Sequence, residues 1–223
     1  MVVTVDPGKL MDALILIDLQ YDFMPGGALA VPRGDEVVPV ANRLAEHFEL
    51  VVASQDWHPP DHRSFASQHP GKKPGDVIDI EGLEQHLWPD HCVQNTHGAE
   101  LHKDLDQSRI ERVFKKGQDP SVDSYSAFFD NAHRRETGLN DFLRQKGVIN
   151  VFLMGLATDY CVRFTALDAL LAGFEVAVLG DGCRGIDAKP GDVENSIRQM
   201  LANGATLTHS RSVLQRQPKA GRG

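Results

Sequence analysis

The stretch Gly155-Leu156-Ala157-Thr158-Asp159-Tyr160-Cys161 decides the fold, because it forms a corner between a predicted strand and a predicted helix. The apolar run 149–154 before it is typical of a buried strand. Apolar residues then recur at helical spacing over 162–172, and Gly173 ends the helix. With Thr158 as the expected N-cap, Cys161 falls in the first turn, where free backbone N–H groups and the helix dipole favour negative charge.

Cys161 therefore has the surroundings of a nucleophile. A thiol in a first helical turn is biased toward thiolate, and the free N–H groups can hold the oxyanion of a tetrahedral intermediate. A lone cysteine is otherwise an ordinary small core residue, so its neighbours must decide. Cys92, Cys161 and Cys183 cannot all pair within the chain. Without a secretion signal, this count predicts a reducing cytoplasm.

Alternating strand and helix patterns predict an α/β fold. Strands are expected at 13–17, 50–54, 113–114, 149–154, 175–179 and 205–208, and helices at 36–48, 139–146, 162–172 and 192–201. This alternation predicts a doubly wound, six-stranded, mainly parallel sheet with helices on both faces. The 223 residues are expected to form one domain, with an N-terminal extension at 1–10 and a flexible tail at 210–223.

Composition excludes several kinds of partner. The net charge of −8 argues against nucleic acid and anionic membranes. No apolar run is long enough to cross a bilayer. The expected ligand is therefore a small molecule, bound by a monomer or a homo-oligomer.

Reactive side chains close or directly follow the first four predicted strands. They are Asp18, Asp56 with His58, Lys116, and Cys161. Ligands of such sheets bind beyond the carboxyl ends of the strands, so these side chains are expected to meet there. Asp18 is either a helix cap or a general base for the thiol. A buried lysine between them would keep the carboxylate ionised and favour thiolate, and by position alone Lys115 and Lys116 are equal candidates.

Asp56-x-His58 at a strand end is a candidate metal site, because one extended stretch can present both side chains to one ion. His91 is our choice for the third ligand; the alternatives near in sequence are His62, Ser64 and His69. Mixed Asp and His ligands suit one divalent ion, with Zn preferred over Mn or Fe.

The segment from Gly180 to Gly185 fits the dinucleotide-binding pattern G-x-G-x-x-G. No helix opens directly after it, since Pro190 intervenes, and a dinucleotide site needs a helix N-terminus at that point. We interpret the segment as a tight turn.

Five motifs, in order, resemble those of bacterial nicotinamidases (pyrazinamidases), a branch of the isochorismatase-like cysteine hydrolases. They are Asp18-Leu19-Gln20-x-Asp22-Phe23, Ser54-Gln55-Asp56-Trp57-His58-Pro59, Trp88-Pro89-x-His91-Cys92, Lys116-Gly117 and Gly155-x-Ala157-Thr158-Asp159-Tyr160-Cys161-Val162. The resemblance runs from about Leu14 to His209.

The resemblance implies an isochorismatase-like, Rossmann-type three-layer fold and a catalytic triad of Asp18, Lys116 and Cys161. It also implies a cis peptide between Leu156 and Ala157 that aims the Ala157 and Cys161 N–H groups at the oxyanion. The metal ligands carry over to Asp56, His58 and His91. The implied walls for an aromatic substrate ring, which are otherwise ordinary core residues, are Phe23, Leu29, Trp88 and Tyr125.

The activity implied is hydrolysis of nicotinamide to nicotinate and ammonia through a cysteine thioester, in NAD salvage. Pyrazinamide is expected to be deamidated as well. The alternative is a related amidohydrolase acting on an N-carbamoyl or ureido substrate, which would share the triad without needing the metal site.

Overall fold

The computed structural model describes residues 11–215. Its strands are β1 (Met11–Ile17), β2 (Leu50–Asp56), β3 (Val77–Ile80), β4 (Leu83–His86), β5 (Arg112–Lys116), β6 (Val148–Leu156), β7 (Glu175–Arg184) and β8 (Thr206–Thr208). Its α-helices are α1 (Val37–Ala45), α2 (Leu139–Gln145), α3 (Arg163–Leu171), α4 (Asp192–Ala202) and α5 (Ser210–Leu214).

Six strands form one parallel sheet in the order β5-β2-β1-β6-β7-β8, which confirms the predicted fold class. After β1, the chain adds β2 and then β5 on one side of it. The chain then crosses to the other side of β1 and adds β6, β7 and β8. Right-handed crossovers in opposite directions place helices on opposite faces of the sheet. Helix α1 accordingly packs with α5, and α3 packs with α4.

The centre of the sheet is apolar on both faces. Residues 13–17 of β1 are at most 1% exposed, as expected for a strand covered by helices on each side. Helix α1 buries Val37, Val40, Ala41 and Leu44, which recur at the i, i+3, i+4, i+7 spacing of one helical face. Because β5, β2, β1 and β6 are parallel neighbours, their carboxyl ends lie together at one edge of the sheet.

A hairpin that the sequence did not predict lies in the long polar connection after β2. Strands β3 and β4 pair antiparallel around Glu81 and Gly82, both with positive φ. Two such residues make a type I′ turn, which usually carries Asn or Asp before the glycine. The pair Glu81-Gly82 was therefore only a weak sequence signal for a hairpin.

The glycine-rich segment after the predicted fifth strand is not a tight turn. Strand β7 continues through it to Arg184, and Cys183 pairs with Gly155 of β6 after a register shift. A side chain on Gly182 would come within 3.0 Å of Met154, so the glycine allows β6 and β7 to lie close together.

The predicted tail is also corrected at its start. Residues 210–214 form α5, in which Ser210 and Val213 are buried. Val213 belongs to the core cluster, so this part of the chain is a packed helix. The predicted extension at 1–10 and the rest of the tail from 216 lie outside the described residues. Within 11–215, no helix is both long and apolar enough to cross a membrane.

Candidate active site

The corner after β6 places Cys161 in a π-helical turn, Thr158–Val162, that leads into α3. Thr158 is not the N-cap: Ala157 holds that position, and its carbonyl accepts the N–H groups of Tyr160 and Val162, each at 3.1 Å. The peptide bond between Leu156 and Ala157 is cis. Cys161 is 6% exposed and lines a cavity at the edge of the sheet.

Lys116 joins the reactive groups at this edge. Its Nζ lies 3.0 Å from Asp18 Oδ2, 2.9 Å from Asp56 Oδ1 and 3.5 Å from Cys161 Sγ, and it donates to the Ser124 carbonyl at 2.9 Å. The lysine is 2% exposed and Asp18 is fully buried. Lys115 instead is exposed and lies over the Trp57 ring, 3.6 Å from its centroid. The structure thus brings together Asp18, Lys116 and Cys161, and leaves Lys115 outside.

The surroundings of Cys161 oppose the bias toward thiolate that a first helical turn provides. Burial raises the pKa of Cys161 well above its usual value; Lys116 opposes this, but the Asp18 and Asp56 charges add to it. Burial works against the Lys116 ammonium, yet the carboxylates of Asp18 and Asp56 raise its pKa well above the usual value. The lysine therefore stays charged, and the thiol needs a base to lose its proton.

Asp18 has the properties of that base. Burial raises its pKa above that of an ordinary aspartate, although Lys116 opposes the shift. Ser54 donates its hydroxyl to Asp18 Oδ1 at 2.7 Å, which lowers the pKa and fixes the carboxylate. Asp18 itself follows β1 with φ of 52°, a left-handed conformation that turns the chain at the strand end.

The three predicted metal ligands also meet. Asp56 Oδ2 lies 3.2 Å from His58 Nε2 and 3.5 Å from His91 Nε2, and all three residues are buried. His58 Nδ1 lies 2.9 Å from the Gly117 carbonyl, and His91 Nδ1 lies 2.8 Å from the Pro89 carbonyl.

Carbonyl oxygens only accept hydrogen bonds, so in neutral histidines these contacts place the proton on Nδ1 and leave a lone pair on each Nε2. The Nε2 lone pairs of His58 and His91 then face the Oδ2 oxygen of Asp56 in a buried position. His58 Nε2 has no hydrogen-bond partner. A cation resolves that arrangement, so the residues present fit a divalent metal ion.

The alternative ligands are arranged differently. His62 Nδ1 is 2.7 Å from Ser64 Oγ, and His69 Nε2 is 2.7 Å from the Arg63 carbonyl. Within the described part of the chain, a second group able to hold a metal ion consists of His58, His62 and Asp123. It shares His58 with the first group.

A cavity opens beside Cys161 at this edge of the sheet. It is lined by the four predicted ring walls, Phe23, Leu29, Trp88 and Tyr125, and by Asp56 and His91. Sequence reasoning missed three further lining residues: Asp123, Tyr160 and Ile186. Tyr160 was open to prediction from its place beside Cys161, whereas Asp123 and Ile186 lie outside the five motifs that carry the resemblance.

The chain belongs to the isochorismatase family, whose domain matches residues 12–212. It is 56% identical over 199 residues to the nicotinamidase of Escherichia coli K12, covering 87% of this chain and 93% of that protein. The structure of an Acinetobacter baumannii nicotinamidase and pyrazinamidase superposes with a TM-score of 0.89 at 43% identity, covering 92% of this chain and 99% of the other. A Pyrococcus horikoshii pyrazinamidase in complex with zinc gives 0.73 at 40% identity, covering 89% and 99%.

These similarities confirm the resemblance to bacterial nicotinamidases that the motifs indicated. They favour the nicotinamidase prediction over the N-carbamoyl or ureido alternative.

Proposed function

We propose that this chain is a nicotinamide amidohydrolase that releases nicotinate and ammonia, and that it deamidates pyrazinamide as well. The observation that carries the proposal is the position of the Lys116 ammonium, which contacts the proposed nucleophile Cys161, the proposed base Asp18 and the candidate metal ligand Asp56. The identity to nicotinamidases supports the substrate class. We place the reaction in NAD salvage in the cytoplasm.

In the first half-reaction Asp18 accepts the Cys161 thiol proton, and the sulfur attacks the carboxamide carbon. The oxyanion that forms is held by the N–H groups of Ala157 and Cys161. Asp18 then returns the proton to the nitrogen, the C–N bond breaks, and ammonia leaves a thioester on Cys161. Throughout, the Lys116 charge stabilises the carboxylate and the developing thiolate.

In the second half-reaction Asp18 takes a proton from water, and the resulting hydroxide attacks the thioester carbon. The C–S bond breaks, and the sulfur recovers its proton from Asp18. Nicotinic acid is released and ionises in solution. One base serves both halves because each half ends with its carboxylate restored.

Asp56, His58 and His91 would hold one divalent ion, for which we propose zinc. Held by these three residues, a divalent ion would supply Lewis-acid binding for the lone pair of a pyridine nitrogen. The ring walls, including Phe23 and Trp88, then keep the ring in place, so that the carboxamide carbon lies over Cys161. Asp56 links the metal ligands to the triad. Its Oδ2 faces the two histidines, and its Oδ1 accepts a hydrogen bond from Lys116 Nζ.

An ammonia-release assay tests this proposal. The purified chain is offered nicotinamide, pyrazinamide, benzamide, N-carbamoyl amino acids and ureido compounds at equal concentration. We expect turnover of the first two only. Faster ammonia release from the carbamoyl or ureido compounds would establish the alternative function.

Removing the metal should damage binding and selectivity. We expect chelation or His58→Ala to raise KM for nicotinamide steeply and to narrow the preference for nicotinamide over benzamide, which lacks the ring nitrogen. His47→Ala, an exposed histidine away from the cavity, is the matched control. Metal content is measured alongside kinetics; an unchanged preference in the metal-free enzyme would show that the aromatic walls alone select the ring.

Ser54→Ala should shift the pH profile. The hydroxyl lowers the pKa of Asp18, so its loss raises that pKa further. Activity needs the ionised carboxylate, and the acid limb of kcat/KM should therefore move to higher pH. Ser67→Ala removes an exposed serine that donates to Asp90 at 2.6 Å and should leave the profile unchanged. A Ser54→Ala limb that stays in place would exclude Asp18 as the titrating base.

A further inference from the structure

The turn after β7, which brings Ile186 to the cavity, is held by a carboxylate that belongs neither to the proposed triad nor to the metal ligands. Asp159 is 3% exposed. Its Oδ1 accepts the Ile186 N–H at 3.0 Å, and its Oδ2 accepts the Asp187 N–H at 2.8 Å. The two carboxylate oxygens of Asp159 thus accept hydrogen bonds from two consecutive backbone N–H groups, 27 and 28 residues further along the chain.

The backbone of this turn lies close against the Asp159 side chain. A Cβ on Gly185 would lie 3.0 Å from Asp159 Oδ1 and 2.2 Å from Val193 Cγ2, so only glycine fits. On the far side, Asp187 Oδ1 accepts the N–H groups of Gly191 and Val193 at the start of α4. This accounts for the last glycine of the dinucleotide-like segment, because the absence of a side chain allows close approach to the Asp159 carboxylate.

The two turns that these hydrogen bonds connect line different parts of the cavity. Asp159 lies in the π-helical turn two residues before Cys161, and Tyr160 between them also lines the cavity. Ile186 lines it from the turn after the neighbouring strand. The pairing of β6 with β7 ends at Leu156 and Arg184. Past that point, the hydrogen bonds of Asp159 directly connect the turn that carries Cys161 with the turn that carries Ile186.

We propose that Asp159 is a positioning residue that fixes the Ile186 wall relative to Cys161, and so determines how closely a flat ring is held over the nucleophile. The inference rests on the proposed function for the identity of the ring, while the connection itself rests on the geometry. A ring that can shift away from the sulfur spends less time in the reactive position, and binding weakens as the wall loosens.

Asp159→Asn is the first test, because an amide keeps the shape but accepts at only one of the two positions. We expect KM for nicotinamide to rise about tenfold, with alkylation of Cys161 by iodoacetamide within about twofold of wild type, since that reagent is too small to need the wall. Asp130→Asn is the control for a buried Asp-to-Asn change in a different loop: the Oδ1 of Asp130 accepts both backbone N–H groups, of Ala132 and Arg134, and an Asn can keep both.

A double-mutant cycle with Ile186→Ala separates positioning from general damage. If Asp159 acts through Ile186, Asp159→Asn adds little to KM in the Ile186→Ala background. Additive effects, or an equal rise in KM in Asp130→Asn, would overturn the inference. Should Asp159→Asn fail to fold, Gly185→Ala displaces the same turn with the carboxylate intact, and a wild-type KM in that variant would overturn it as well.

Amide hydrogen exchange supplies a readout that needs no substrate. The Ile186 and Asp187 amides should exchange faster in Asp159→Asn and at the wild-type rate in Asp130→Asn. Unchanged exchange would disprove the connection. Faster exchange in an enzyme that does not hydrolyse nicotinamide would retain the connection and refute the proposed function instead.

Discussion

Cys161→Ala is expected to lower nicotinamide turnover by about 10⁴-fold or more, because no other group can form the thioester. The fold should survive, since the change removes one sulfur and costs about 1 kcal/mol of unfolding free energy or less. Ammonia release and thermal unfolding measure the two effects. Cys92→Ala and Cys183→Ala, at the other buried thiols, are the controls. Near-normal turnover in Cys161→Ala would end the cysteine-hydrolase account.

Lys116→Met should lower kcat/KM by about 100-fold or more, the usual scale of acid–base and charge contributions. Without the ammonium, Asp18 and Asp56 lose the positive charge between them, which raises the pKa of Asp18, and the developing thiolate loses its counter-charge. Lys115→Met is the control, because that lysine is exposed over Trp57 and touches none of these groups. Equal small losses from both variants would show that neither lysine supports the reaction, and circular dichroism checks that Lys116→Met is folded.

The sequence predicted most of what depends on local pattern. Buried parallel strands show as continuous apolar runs, and the polar residues that close them, such as Asp18 and Asp56, must lie at one edge of the sheet. That rule located the edge at which Cys161 and Lys116 meet. The choice of Lys116 over Lys115 came from family resemblance, and the structure shows its physical basis: one side chain enters the interior and the other faces solvent.

The pKa of the Cys161 thiol was not open to local reasoning. The helix-turn argument predicted a bias toward thiolate, but burial and two carboxylates from distant strands raise the pKa of the thiol. The role of Asp159 was hidden for a similar reason, because its partners are backbone groups more than 25 residues away. Such effects depend on which segments the fold brings together, and the spacing of residues in the sequence does not predict them.

The most direct test of the central claim, that Cys161 attacks a nicotinoyl carbonyl in this cavity, uses nicotinaldehyde labelled with ¹³C at the aldehyde carbon. The account predicts that the carbonyl resonance of the bound compound is replaced by that of a tetrahedral thiohemiacetal carbon in the wild type. The same signal should be absent in Cys161→Ala, which separates the thiohemiacetal from aldehyde hydrate. A bound aldehyde that keeps its carbonyl resonance in the wild type, or the same tetrahedral signal in Cys161→Ala, would contradict the claim.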